Sequence, residues 1–151
     1  RDSELRAHPW SFARQRVKVA ADSTDPAFGY AKRYAIPPDC LRILPTNGTN
    51  GTPAQDDWQI EGGFILTDDG SPINLVYIKK VTNENTFDAL FTELLIARIA
   101  MDTVEKITQS NKKKEEALFH YNEVQQEARR VNGFERPPQD PPTDSWVTAR
   151  L

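Results

Sequence analysis

The period of hydrophobicity changes once along this chain, near Val81, and that change limits the possible folds more than any other feature. Before Val81 the apolar residues come in short runs with period two, the spacing of half-buried strands. "RVKVA" (residues 16–20) alternates charged and apolar side chains, and "INLVYIKKV" (residues 73–81) is a well-marked strand. After Val81, Phe87, Leu90, Phe91, Leu94, Leu95, Met101, Val104 and Ile107 follow helical spacing. A second helix is predicted over residues 111–131, with Ala117, Tyr121, Val124, Ala128 and Val131 as its apolar stripe. Strands followed by helices define an α+β chain.

Turn chemistry divides the strand region. In "GYAKRYAIPPDCLRILPT" two strand-like runs are split by Pro37-Pro38-Asp39, a rigid turn because locked φ angles cannot continue a ladder. "WQIEGGFIL" reads as a tight hairpin about Gly62-Gly63, with Trp58 and Ile60 on one strand and Phe64 and Leu66 on the next. "NGTNGTPAQDD" is a polar loop in which the sequons at Asn47 and Asn50 read as turn chemistry. Asn85 or Thr86 is expected to cap the first long helix. The short break "TQSN" folds the two long helices back antiparallel.

Two amphipathic helices cannot bury both stripes alone, so a third element is required. "RDSELRAH" has helical composition without an N-cap and reads as the tail of a helix that supplies it. The expected architecture is an antiparallel α-helical bundle with an inserted small antiparallel β domain and an extended C-terminal tail. Residues 1–11 end the first bundle helix, 12–82 form the β-rich domain, 83–133 the two-helix part, and 134–151 a Pro-rich tail.

Composition narrows the chemistry. The net charge of −3 argues against a nucleic-acid grip, which shows as a basic surplus. A single cysteine, Cys40, cannot build a disulfide framework. The longest apolar stretch, residues 94–101, is broken by Arg98 and is too short to span a bilayer. A mean hydropathy of −0.64 is low for a self-contained globule of 151 residues, as expected of a chain that either has extended surface segments or completes its burial against neighbours.

No metal-ligand spacing, phosphate-cradling glycine loop or nucleophile elbow occurs in the sequence, and no cofactor is expected. The paired loop acids Asp56-Asp57 and Asp68-Asp69 read as solvated turn residues, Lys112-Lys113-Lys114 as a solvated helix start, and His120 as a helix residue rather than a ligand. In "LRAHPWSFARQRV" Pro9 disfavours an α conformation at His8, so the helix ends there. His8, Pro9, Trp10 and Phe12 then form a structural junction between helices and β domain, with Trp10 buried. In the tail, Trp146 and Arg150 have the character of interface anchors, although the tail could equally fold back so that Trp146 packs on its own bundle.

Several segments taken in order, "LRAHPWSFARQRV", "PAFGYAKRYAIPPDCLRIL", "DWQIEGGFILTD", "PINLVYIKKVTNENTFDALFTELLIARIA", "ITQSNKKK" and "EARRVNGFERPPQDPPTDSWVTARL", resemble the tail tubular protein A family of short-tailed bacteriophages and prophages. That family is the head-to-tail adaptor, or gatekeeper. The resemblance spans nearly the whole chain, except that family members carry a further helix before "LRAHPW". It implies a non-enzymatic virion protein at the head–tail interface, assembled in the host cytoplasm. Such a protein forms a dodecameric ring below the portal protein, continues the DNA channel without gripping DNA, touches no membrane, and anchors the tail nozzle and fibres. By position, Trp146, Val147, Arg150 and Leu151 are expected to bind the portal. The loops with Asn47, Asn50, Asp56, Asp57, Asp68 and Asp69 are expected to face nozzle and fibres. Two rival readings are a small phage hydrolase or nuclease accessory using the loop carboxylates, and a monomeric module that binds a peptide along a sheet edge.

Overall fold

The computed structural model describes residues 1–44 and 58–135. It is mixed α and β: a six-residue helix α1 (Asp2–Ala7), six strands, and two long helices, α2 (Ala89–Thr108) and α3 (Asn111–Phe134). The strands are β1 (Arg14–Val19), β2 (Lys32–Ala35), β3 (Cys40–Ile43), β4 (Trp58–Glu61), β5 (Phe64–Thr67) and β6 (Ile73–Lys79). They form two antiparallel three-stranded sheets, ordered β1-β6-β3 and β2-β5-β4. The single β domain expected from sequence is thus built from two sheets, each with its latest strand pairings made to a central strand.

β6 explains the layering. Alternate side chains leave a strand on opposite faces, and both faces of β6 are apolar. Ile73, Leu75 and Tyr77 enter one core with Val17, Val19 and Ile43 of the same sheet and with Tyr34, Ile65 and Trp58 of the other. Val76 and Ile78 enter a second core with Leu5, Trp10, Phe91, Leu94, Ala97, Tyr121 and Ala128. The β1-β6-β3 sheet is therefore a middle layer, with helices on one side and the second sheet on the other. The register, Val17 opposite Leu75 and Val19 opposite Ile73, puts the apolar residues of β1 on the sheet–sheet side. Arg14, Arg16 and Lys18 take the other face of this edge strand, where charge discourages pairing with foreign strands.

The turns follow their chemistry. Gly62 and Gly63 have φ of 55° and 85°, the left-handed pair that a two-residue hairpin turn needs. The second sheet is tied to the loop after β1 by Arg33, whose Nε and Nη2 both donate to Asp22 Oδ1 at 3.0 and 2.7 Å. The same guanidinium lies 4.6 Å over the Phe64 ring. The Thr24 backbone N–H first, and Arg33 second, hold the Asp22 carboxyl below its usual range.

Two details of the helical part correct the sequence expectations. Asp88, not Asn85 or Thr86, caps α2, its Oδ1 accepting from Leu90 and Phe91 N–H at 2.9 and 3.2 Å. Residues 84–86 form a 3-10 turn of their own, capped by Asn83. On α3, Val131 is 38% exposed and Asn132 takes the buried position beside it. Gln109 in the left-handed region and Ser110 as N-cap link α2 to α3, so α3 folds back along α2.

Because Ile78 is fully buried between helices and sheet while Ile60 is half-exposed on an edge strand, the same substitution should separate them. Ile78→Ala is expected to cost about 2–5 kcal/mol and Ile60→Ala under about 1 kcal/mol. Urea denaturation of the two variants checks this; equal losses would contradict the two-faced role of β6.

Candidate functional site at the helix–strand junction

The stretch that ends α1 ties the first helix to α2 and α3. His8 is extended, with φ −134° and ψ 144°, as its place before Pro9 requires. The chain then returns beneath the helix it has just left. Trp10, 1% exposed, donates from Nε1 to the Glu4 carbonyl at 2.9 Å, satisfying an acceptor that a helix C-terminus would otherwise leave open. The Trp10 ring meets Phe91 edge-on at 5.2 Å and His8 at 4.7 Å. Phe12, Phe87 and Phe91 complete the cluster, with centroids 5.1 to 6.0 Å apart. Offset and edge-on aromatic contacts of this kind each add about 0.5–1.5 kcal/mol beyond area burial.

His8 is held by α3. Asn132 Oδ1 accepts from the Ser11 backbone N–H at 2.9 Å, which fixes the orientation of that amide. Its Nδ2 therefore donates to His8 Nε2, 3.1 Å away. A ring nitrogen that accepts carries no proton, so this contact calls for the neutral imidazole protonated at Nδ1. The Nε2 lone pair is committed to joining the end of α1 to α3.

A second polar link lies on the other side of α1. Glu4 is 4% exposed, and its Oε1 accepts from Arg98 Nη1 at 3.0 Å and from the Tyr121 hydroxyl at 3.1 Å. Gln125 Nε2 donates to the same hydroxyl at 2.7 Å. Arg98 also reaches Asp102 at 2.9 Å, one turn on in α2. Burial, and then the neighbouring Glu4 charge, push the Tyr121 hydroxyl pKa up. One carboxylate thus joins α1, α2 and α3. Sequence reasoning did not single out Glu4, Arg98 or Asn132, because their partners lie roughly a hundred residues away and no local pattern marks them.

The loop acids fall into two groups. Asp68 Oδ1 accepts from Ala31 N–H at 2.7 Å, and the Asp69 carbonyl accepts from the Tyr34 hydroxyl at 2.7 Å, so this pair fastens the loop before β2 to the end of β5. Asp56 and Asp57 lie outside the described residues, as do Asn47, Asn50, Trp146, Val147, Arg150 and Leu151. Among the described residues no group of three or more His, Cys, Asp and Glu could hold a metal ion, and no helix is long and apolar enough to cross a membrane. His120 is exposed on α3, and Lys114 pairs with Glu105 across the helix turn. Burial pushes the Cys40 thiol up, beside Tyr77, whose hydroxyl donates to Asp39 at 3.0 Å and is pushed up to about 12 by its own burial. Comparison with family models and with curated proteins returns no match to this chain.

Two outcomes are expected. The Glu4–Arg98 link is asymmetric, because the Glu4 side chain is 5% exposed and that of Arg98 is 39% exposed. Arg98→Met strands a buried carboxylate and should cost about 2–3 kcal/mol, whereas Glu4→Gln keeps a hydrogen-bonding group and frees an arginine that water and Asp102 can serve, at about 1 kcal/mol. Chemical denaturation at neutral pH ranks them, and the reverse order would contradict the assignment. Cys40, half-buried with its thiolate disfavoured, should react with a disulfide reagent at pH 8 at least about tenfold more slowly than free cysteine. A rate matching free cysteine would contradict it.

Proposed function

We propose that this chain is a structural head-to-tail adaptor of a short-tailed phage, acting as a ring below the portal that continues the DNA channel and anchors the tail nozzle and fibres. The particular class rests on the ordered sequence resemblance to the tail tubular protein A family. The structural observation that carries the reading is the helical hairpin. With two cores already closed, it still exposes Ile96, Ile99 and Ile107 on α2 and Phe119 and Phe134 on α3, each more than 60% accessible. Ile96, Ile99 and Ile107 share one face of α2, and a contiguous apolar face of this kind marks a surface that other chains cover.

In this reading α1 is the end of a first bundle helix and the two sheets are an insertion into that bundle. The tail that meets the portal through Trp146, Val147, Arg150 and Leu151 begins after the Glu135 cap of α3, two residues later than the sequence pattern suggests. The loops at Asn47, Asn50, Asp56, Asp57, Asp68 and Asp69 face nozzle and fibres. No bond is broken: the work is ring closure and a lumen that does not retain DNA. The net charge of −3 supports such a lumen, since each phosphate neutralised by Lys or Arg adds affinity and would slow passage. The twelvefold ring and the virion location come from the resemblance.

Electron microscopy of the protein mixed with its cognate portal rings is the decisive measurement. A ring of added density on the portal is expected. Deleting residues 137–151 should abolish that density while the helical circular-dichroism signal is retained. Bare portals with the intact protein would overturn the adaptor reading, and undiminished binding by the deletion would overturn the tail assignment.

A further inference from the structure

The edges of the two sheets are not covered alike. α1 lies beside β3, where Arg6 Nη1 donates to the Leu41 carbonyl. The loop after β1 lies beside β2, with the Asp22 N–H on the Arg33 carbonyl at 2.8 Å. β4 is an edge of four residues and carries no cation. β1, the six-residue edge of the middle sheet, has no backbone partner on its outer side along residues 16–18 among the described residues.

The direction of its backbone groups follows from the ladder. The Leu44 N–H donates to the Val76 carbonyl at 2.9 Å, so the backbone of Val76 points to β3 and that of Leu75 and Tyr77 to β1. Their partners Val17 and Gln15 take those bonds, which directs the N–H and C=O of Arg16 and Lys18 outward. Of these groups only the Arg16 carbonyl meets a donor among the described residues, Gln15 Nε2 at a long 3.5 Å. The side chains add a sign. Arg14, Arg16 and Lys18 stand about 7 Å apart on one face, and their β6 neighbours Ile78, Val76 and Asn74 bring no acid to it. Neither Arg16 nor Lys18 enters an ion pair among the described residues. On the other face Val17 and Val19 are half-buried and form an apolar rim to the sheet–sheet core.

We propose that the open edge of β1 takes up an extended segment of a partner protein, with acidic and apolar residues in alternation, as an added antiparallel strand. Directly opposite residues in such a pair share a face. Acidic residues then stand against Arg16 and Lys18 and bond their outward N–H and C=O groups, while the apolar residues between them lie beside Val17 and Val19. Main-chain bonds supply affinity in this mode, and alternate side chains supply specificity. The cations turn other occupants away. A second copy's β1 would set cation against cation, which is destabilising. The phosphates of a nucleic acid would meet the charges, but as acceptors they offer nothing to the outward carbonyls and leave the valine rim bare. The row of charge that guards this edge against foreign strands thus passes an acidic one. The site stands independently of the adaptor reading, since it needs neither ring nor portal.

Fluorescence anisotropy of a labelled peptide of alternating valine and glutamate, titrated with the full chain up to about 1 mM, tests the proposal. Saturable binding is expected, at least about tenfold tighter than for the same peptide with lysine in place of glutamate. Arg16→Glu together with Lys18→Glu should reverse that preference, with an unchanged circular-dichroism signal because both side chains are exposed. N-methylation of the peptide's glutamates should abolish binding, because their N–H groups face β1, and N-methylation of its valines should spare it. The peptide comparisons use the parent chain, so they decide even where the double variant fails to fold. Binding of neither peptide, equal binding of both, an unchanged preference in a folded double variant, or equal effects of the two methylations would each overturn the proposal. So would a single-stranded oligonucleotide that binds more tightly than the glutamate peptide.

Discussion

The structure depends on β6 being apolar on both faces. A strand in a two-layer protein needs one buried face and turns its other residues to water. Here Ile73, Leu75 and Tyr77 point towards the second sheet, and Val76 and Ile78 towards the helices. Once that strand sits between two partners, much of the topology follows. It must be central, so β1 and β3 flank it. The helices must lie on the face opposite the second sheet, and Val81, 4% exposed just beyond the strand, starts the chain towards them. The change of hydrophobic period near Val81 marks the end of the strand that both halves share.

The polar links act on placement more than on net stability. A helix of six residues has no standing alone, since nucleation costs more than so short a ladder returns. α1 is held by Leu5 in the apolar core, by the Trp10 indole on the Glu4 carbonyl, and by the Glu4 carboxylate between Arg98 and Tyr121. Apolar packing alone would tolerate a sliding helix. Hydrogen bonds of fixed direction to two different helices do not, and a buried carboxylate that loses them is heavily penalised. The Asn132 bridge to Ser11 and His8 does the same for the strand that follows.

Features governed by neighbouring residues were legible in the sequence. The Gly62-Gly63 hairpin, the Pro37-Pro38-Asp39 break and the end of α1 at Pro9 each follow from φ restrictions within a few positions. Features decided by distant partners were not. Two sheets instead of one cannot be read from strands whose apolar alternation looks alike, because β6 pairs with β1 some sixty residues earlier. Asn132 displaces Val131 from the buried position because the Ser11 N–H and the His8 ring need an amide there, which helical periodicity cannot register. The N-cap of α2 was placed two or three residues early because Asn83 and Asp88 begin separate turns within one polar run. Of the candidate site, the Trp10 cluster was visible from Pro9 and the aromatic spacing, while the Glu4 link was not.

The contrast between the two long helices bears on what the functional unit is. α3 mixes apolar and charged residues on its outer side: Tyr121 and Ala128 are buried, while Glu115, Glu116, Glu123 and Glu127 face water together with Phe119 and Phe134. α2 buries Phe91, Leu94 and Ala97, yet its opposite side carries Ile96, Ile99 and Ile107 in place of charge. A chain in which 27% of residues are charged does not lack polar side chains to spend there. Glu93, Asp102, Glu105 and Lys106 are exposed elsewhere on α2, so its apolar outer character is confined to one strip. Charge has been kept off this strip, which is the side of α2 that the proposed adaptor assembly would cover.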